Sequence, residues 1–191
     1  MPLAIAVWGF QSGRLGADPV QAVILQTGKT ALVLLVLSLA CTPVNMVVRS
    51  SLVPRLRRWL GLYAVFYASI HLLSSVGLDY EFNFELIRAD LGDKRFALVG
   101  LAALLTLVPL AVTSTKGWAR RLGENWKRVH WLVYPATILA VTHFGLQVKK
   151  DIRQPLLFGV IVLLLLSLRI RPVRRALEGR LRRNRRPEGA C

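Results

Sequence analysis

Acidic side chains are scarce in this chain. Ten Asp and Glu stand against 26 Lys and Arg in 191 residues, for a net charge of +16. None of those acids lies within the long apolar runs, so a Ser/His/Asp hydrolase has no carboxylate to build on there. A proton-coupled transporter or channel would lack the intramembrane acids that such relays usually employ, although intramembrane histidines keep it as the competing reading. Cysteine is scarcer still. Cys41 sits inside an apolar run and Cys191 ends the chain, with no CxxC and no CxxCH. That leaves no case for a disulfide framework, a zinc site or a covalently attached c-type haem. Gly28-Lys29-Thr30 mimics the end of a phosphate-binding loop, but Val23 stands where that motif needs glycine.

What the chain does have is apolar length. Hydrophobic residues make up 54% of it, and the mean hydropathy is +0.47. The basic residues collect between uncharged runs instead of spreading along amphipathic elements, which argues against nucleic-acid binding and for a polytopic membrane protein. Five segments carry no formal charge: Thr30–Val48, Leu60–Leu78, Phe96–Thr115, Val129–Val148 and Gln154–Leu168. About 20 helical residues cross the hydrocarbon core, so the first four qualify by length. The fifth is shorter, but it is strongly apolar around Leu163–Leu166 and extendable through Ile170 past a snorkelling Arg169. The expected fold is an all-α transmembrane helical bundle with five spans. Pro2–Phe10 is apolar but too short to span, and no basic stretch precedes it to make a signal peptide. It resembles the end of a helix whose beginning is missing; with that helix the count would be six.

Loop charge sets the orientation. Arg49, Arg55, Arg57 and Arg58 separate the first two spans, Lys116, Arg120, Arg121, Lys127 and Arg128 separate the third and fourth, and nine arginines run from Arg169 to Arg186. The other two loops carry three cations each, and the first of them also holds Asp79, Glu81, Glu85, Asp90 and Asp93. The positive-inside rule places the basic loops and the C-terminus in the cytoplasm and the acidic loop outside. The arginine tail is then expected to lie against anionic membrane lipid.

His71 and His143 are isolated imidazoles deep in apolar runs, and intramembrane imidazoles are costly and usually functional. His71 follows Arg58, and His143 follows Arg128, by about four helical turns each. At about 5.4 Å per turn, both reach roughly 20 Å from the cytoplasmic charges. Two such histidines on different helices suit the axial ligands of one iron porphyrin. Ala68, Ala64 and Gly61 on one face, and Ala140 and Ala136 on the other, leave room for a flat macrocycle; close helix packing also favours small residues. His130 is a further candidate ligand near the cytoplasmic boundary. Pro135 stands between it and His143, and a kink there could turn both to one side. A second haem would need a partner near position 57, where Arg57 and Arg58 are suited to a propionate instead.

Several motifs taken together resemble a known family: Leu15-Gly-Ala-Asp-Pro-Val20, Thr27-Gly-Lys-Thr30, Arg57-Arg-Trp-Leu-Gly-Leu62 leading to His71, Thr113-Ser-Thr115, and the stretch from Trp126 through His130 to His143. From Trp8 to the arginine tail the chain is similar to the MsrQ family, within the ferric-reductase-like transmembrane group. That family comprises haem-binding membrane subunits of periplasmic methionine sulfoxide reductase systems, in which histidines on two helices hold b haems. The resemblance implies a bacterial inner-membrane cytochrome carrying one haem b, or two. It also implies electrons drawn from the quinone pool or a cytoplasmic flavin reductase, delivery to the molybdopterin enzyme MsrP, and an association with FMN. Members usually begin with a further hydrophobic helix. The implied division is an N-terminal arm or helix remnant over 1–29, a haem-binding domain over 30–170 and a basic cytoplasmic tail over 171–191.

Overall fold

A computed structural model describes residues 18–148 and 152–169. Those residues form eight α-helices and no strand: α1 (Pro19–Val48), α2 (Leu52–Ser74), α3 (Phe84–Asp93), α4 (Arg95–Val112), α5 (Lys116–Leu122), α6 (Asn125–His130), α7 (Val133–Gln147) and α8 (Arg153–Ser167). Four stretches are long and apolar enough to cross a membrane: α1, α2 with the π-helical turn that prolongs it to Asp79, α4, and α6 with α7. The fifth charge-free run does form a helix, but α8 has only 15 residues, about 22 Å of rise against a core of roughly 30 Å. The expectation of an all-α, multi-pass membrane bundle holds.

The first helix starts earlier than its charge-free run. Asp18 caps it by accepting from the Gln21 N–H at 3.0 Å, and Pro19 occupies the first turn, where a missing N–H costs nothing. A division at 29/30 therefore does not separate an arm from the bundle, because residues 19–29 belong to α1. Lys29 is tolerated inside the helix because its amine reaches the Gln154 side chain at the head of α8, at 3.0 Å. Pro2–Phe10 and the arginines beyond Arg169 lie outside the described residues.

Two helix pairs organise the bundle. α1 lies along α2, α4 lies along α7, and α8 rests on α7 and α1. The pairs meet at Leu35, Leu39, Ala64, Leu107, Leu110, Val133 and Ala136. Ala64 and Ala136 are almost fully buried, and such small residues let helix backbones approach closely where lipid offers no hydrophobic drive for association. Leu37, Leu105, Leu156 and Leu163 are exposed, as expected for side chains that face lipid.

Between α6 and α7 the helix is interrupted at Trp131–Leu132. Pro135 explains the break, since it lacks an N–H for the carbonyl of residue 131 and its ring crowds that carbonyl. His130 therefore closes its own short helix.

Candidate functional site

His71 projects from the last turn of α2 and His143 from α7, one turn before that helix ends. Their ring centroids are 6.0 Å apart with planes at 74°, and both line one cavity of about 420 Å³. Each ring is fixed in the same way. His71 Nδ1 lies 2.8 Å from the Ile24 carbonyl oxygen of α1, and His143 Nδ1 lies 2.7 Å from the Phe96 carbonyl oxygen of α4. A carbonyl can only accept, so Nδ1 carries the proton and donates, which leaves the Nε2 lone pair free on each ring. Ala64, Ala68 and Ala140 line this cavity, as their spacing predicts. Ala136 does not line it; it packs in the core between the helix pairs.

His130 sits elsewhere. It stacks on Trp126 with centroids 4.0 Å apart, and its Nδ1 lies 3.1 Å from the Trp126 carbonyl oxygen. The Trp126 indole N–H in turn donates to the Thr113 carbonyl at 2.9 Å, which ties α6 to the end of α4. A second cavity of about 330 Å³ brings His130 together with Arg57, Arg58, Ser38 and Gly61. Gly61 thus belongs to this cavity and not to the one lined by His71. The break after His130 keeps it out of the His71/His143 cavity, so the kink before Pro135 does not bring the two α6–α7 histidines to one side.

The chain from residue 27 to residue 141 matches the model of the family described as the ferric-reductase-like transmembrane component. A protein of Rhodospirillum rubrum named protein-methionine-sulfoxide reductase heme-binding subunit MsrQ is 47% identical over 173 residues, covering 90% of this chain and 83% of the relative. A protein of the same name from Xanthomonas campestris pv. campestris is 47% identical over 175 residues, covering 88% and 80%. The chain belongs to the MsrQ family. No solved structure matches it.

For an MsrQ-family member, the ligand chemistry of the larger cavity is restrictive. Among the described residues no three His, Cys, Asp or Glu side chains cluster to hold a metal ion. Two imidazoles alone would leave most of a bare ion's sphere open, whereas a macrocycle that supplies the equatorial donors needs only two axial ones. The free Nε2 atoms of His71 and His143, on rings whose centroids stand 6.0 Å apart at the wall of one cavity, would be the groups that hold such a macrocycle's metal. The residues present fit an axially ligated porphyrin.

Sequence reasoning missed Ile24, Gly28, Phe96 and Gly100, which form the backs of the two histidine seats. A signal for them exists. Ile24, Gly28, Ala31, Leu35, Ala64, Ala68 and His71 precede Phe96, Gly100, Ala103, Leu107, Ala136, Ala140 and His143, each by the same sequence offset. That offset also sets Trp59 against Trp131 and Arg58 against His130. Residues 24–71 and 96–143 thus share a pattern of one helix pair carrying one histidine, which neither half shows alone.

Proposed function

We propose that this protein is a b-type cytochrome subunit of the bacterial inner membrane, with His71 and His143 as axial ligands of one haem. It takes electrons from the quinone pool or a cytoplasmic flavin reductase and delivers them to the periplasmic enzyme MsrP for reduction of methionine sulfoxide in oxidised proteins. The observation that carries this reading is the pair of carbonyl-oriented imidazoles 6.0 Å apart across one cavity. The names of the relatives support it, since they describe a heme-binding subunit of a methionine sulfoxide reductase. A haem there supplies a one-electron carrier; the helices hold it and exclude water, and the protein performs no substrate chemistry of its own.

With the basic loops cytoplasmic, the helices from Pro19 to Ser167 form the haem-binding domain, and the His71/His143 cavity opens nearer the periplasm. Its lining includes Asp79, Tyr80 and Lys94, so a docked acceptor is brought close. A second haem, if bound, would take His130 as a ligand, with Arg57 and Arg58 available to its propionates; all three line the second cavity. An FMN association rests on family membership alone.

Purified protein made with ample haem should show a low-spin spectrum with sharp α and β bands on reduction. His71→Ala and His143→Ala should each abolish the same haem signal, and His130→Ala should remove at most a second one. A colourless preparation would overturn the cytochrome reading in favour of a transporter. If haem reduces normally but MsrP stays oxidised with quinol and with reduced flavin, the proposed partner is wrong.

A further inference from the structure

A histidine seat needs more than a carbonyl. A Cβ added at Gly28 would lie 3.0 Å from both Cε1 and Nδ1 of His71, and one added at Gly100 would lie 2.6 Å from Nδ1 and 2.7 Å from Cε1 of His143. Each glycine stands one turn after the accepting carbonyl, so the Nδ1–Cε1 edge of the imidazole rests against bare helix backbone where a side chain would push it away. Among the other helical glycines of the described residues, only Gly77, in the π-helical turn, comes near such a conflict, at 3.2 Å from the Phe82 ring. Gly61 and Gly159 would meet their nearest neighbours at 3.5 and 3.9 Å, which is ordinary contact.

We infer that Gly28 and Gly100 are positioning residues for the two axial histidines, an inference that rests on the cytochrome reading. Their missing side chains set how far each ring stands from its helix, and so whether the Nδ1–H reaches Ile24 or Phe96. That hydrogen bond fixes the tautomer and ring orientation and raises the basicity of the ligating nitrogen. The ring planes, at 74° to one another, are held crossed by the two seats. Alanine is a better helix former than glycine, so without the seats Gly28→Ala and Gly100→Ala would be neutral or stabilising.

The test uses full-length protein carrying Gly28→Ala, Gly100→Ala or, as control, Gly159→Ala. It reads haem per polypeptide, the low-spin electron paramagnetic resonance signal and the midpoint potential. Gly100→Ala, with the closer approach, should lose most of the haem held by His71 and His143. Gly28→Ala should retain that haem with a shifted resonance anisotropy and a raised potential, because a weakened Nδ1 bond makes the ligand less basic. Gly159→Ala should match the parent on all three. If Gly100→Ala does not fold, Gly28→Ala decides, since a milder approach leaves the bundle intact. Parent-like resonance and potential in Gly28→Ala would overturn the inference while leaving the cytochrome reading standing. A parent protein without haem would overturn the cytochrome reading itself.

Discussion

Ala136 and Ala140 lie one turn apart on α7, yet enlarging them should have opposite consequences. Ala136 is fully buried, packs with Leu35, Leu39 and Leu107, and lines none of the cavities described above. Leucine there adds three carbons where no space exists. Apolar burial of about 0.8 kcal/mol per methylene is not gained, and overpacking of this kind costs about 1–3 kcal/mol. In lipid, packing is also most of what holds helices together. Ala136→Leu should therefore lower stability by about 1–3 kcal/mol, roughly a 5- to 150-fold change in the folded-to-unfolded ratio. Ala140 lines the His71/His143 cavity, so leucine at that position has room and the fold should survive, while the slot for the macrocycle is filled. Protein prepared under haem limitation separates the two effects. Unfolding by a denaturing detergent, followed by tryptophan fluorescence, should show an earlier transition for Ala136→Leu and a parent-like one for Ala140→Leu. On adding haem, Ala140→Leu should bind least. Should Ala140→Leu prove the more destabilised of the two, or Ala136→Leu unfold like the parent, the division between core and cavity along α7 is wrong.

Three further outcomes are expected. Trp126→Phe keeps the ring against His130 but removes the 2.9 Å bond to the Thr113 carbonyl, which should cost about 0.5–1.5 kcal/mol. The absorbance owed to His71 and His143 should stay unchanged. Asp18→Ala removes the cap on the Gln21 N–H at about 0.5–2 kcal/mol; faster amide exchange confined to the first turns of α1 would register it. A cysteine placed at Glu85 in a chain with Cys41 and Cys191 replaced should react with an impermeant thiol reagent from the periplasmic side, and labelling from the cytoplasm would invert the topology.

Apolar runs report helices well because backbone groups in lipid must be satisfied within the segment. They report ends poorly, because charge is only an indirect marker of where a helix stops. α1 shows this: Lys29 ends the charge-free run, yet the helix continues to the Asp18–Pro19 cap, where local hydrogen bonding decides. His71 and His143 were legible because an isolated imidazole in an apolar run has few ordinary explanations. Gly28 and Gly100 were not, since glycine in a membrane helix is common and its meaning lies in what packs on it from the neighbouring helix. Ala136 was expected beside the macrocycle because small residues serve both close packing and open space, and only the third dimension separates those uses. The separation of His130 from His143 depended on where the backbone breaks near Pro135, which spacing on an ideal helix does not encode.

Each seat is self-contained within one helix pair, and this bears on how the protein is made. Ile24, Gly28 and His71 are all synthesised before any residue of α4 exists. Once α1 and α2 pair in the bilayer, His71 already has the Ile24 carbonyl as partner, so its Nδ1–H is not left bare in hydrocarbon while the ribosome completes the chain. The second pair then repeats the arrangement with Phe96, Gly100 and His143. On the cytochrome reading, neither half could grip a macrocycle alone, because each would contribute one ligand. Cofactor capture would then wait for His143 on α7 and mark the moment at which the two helix pairs become one protein.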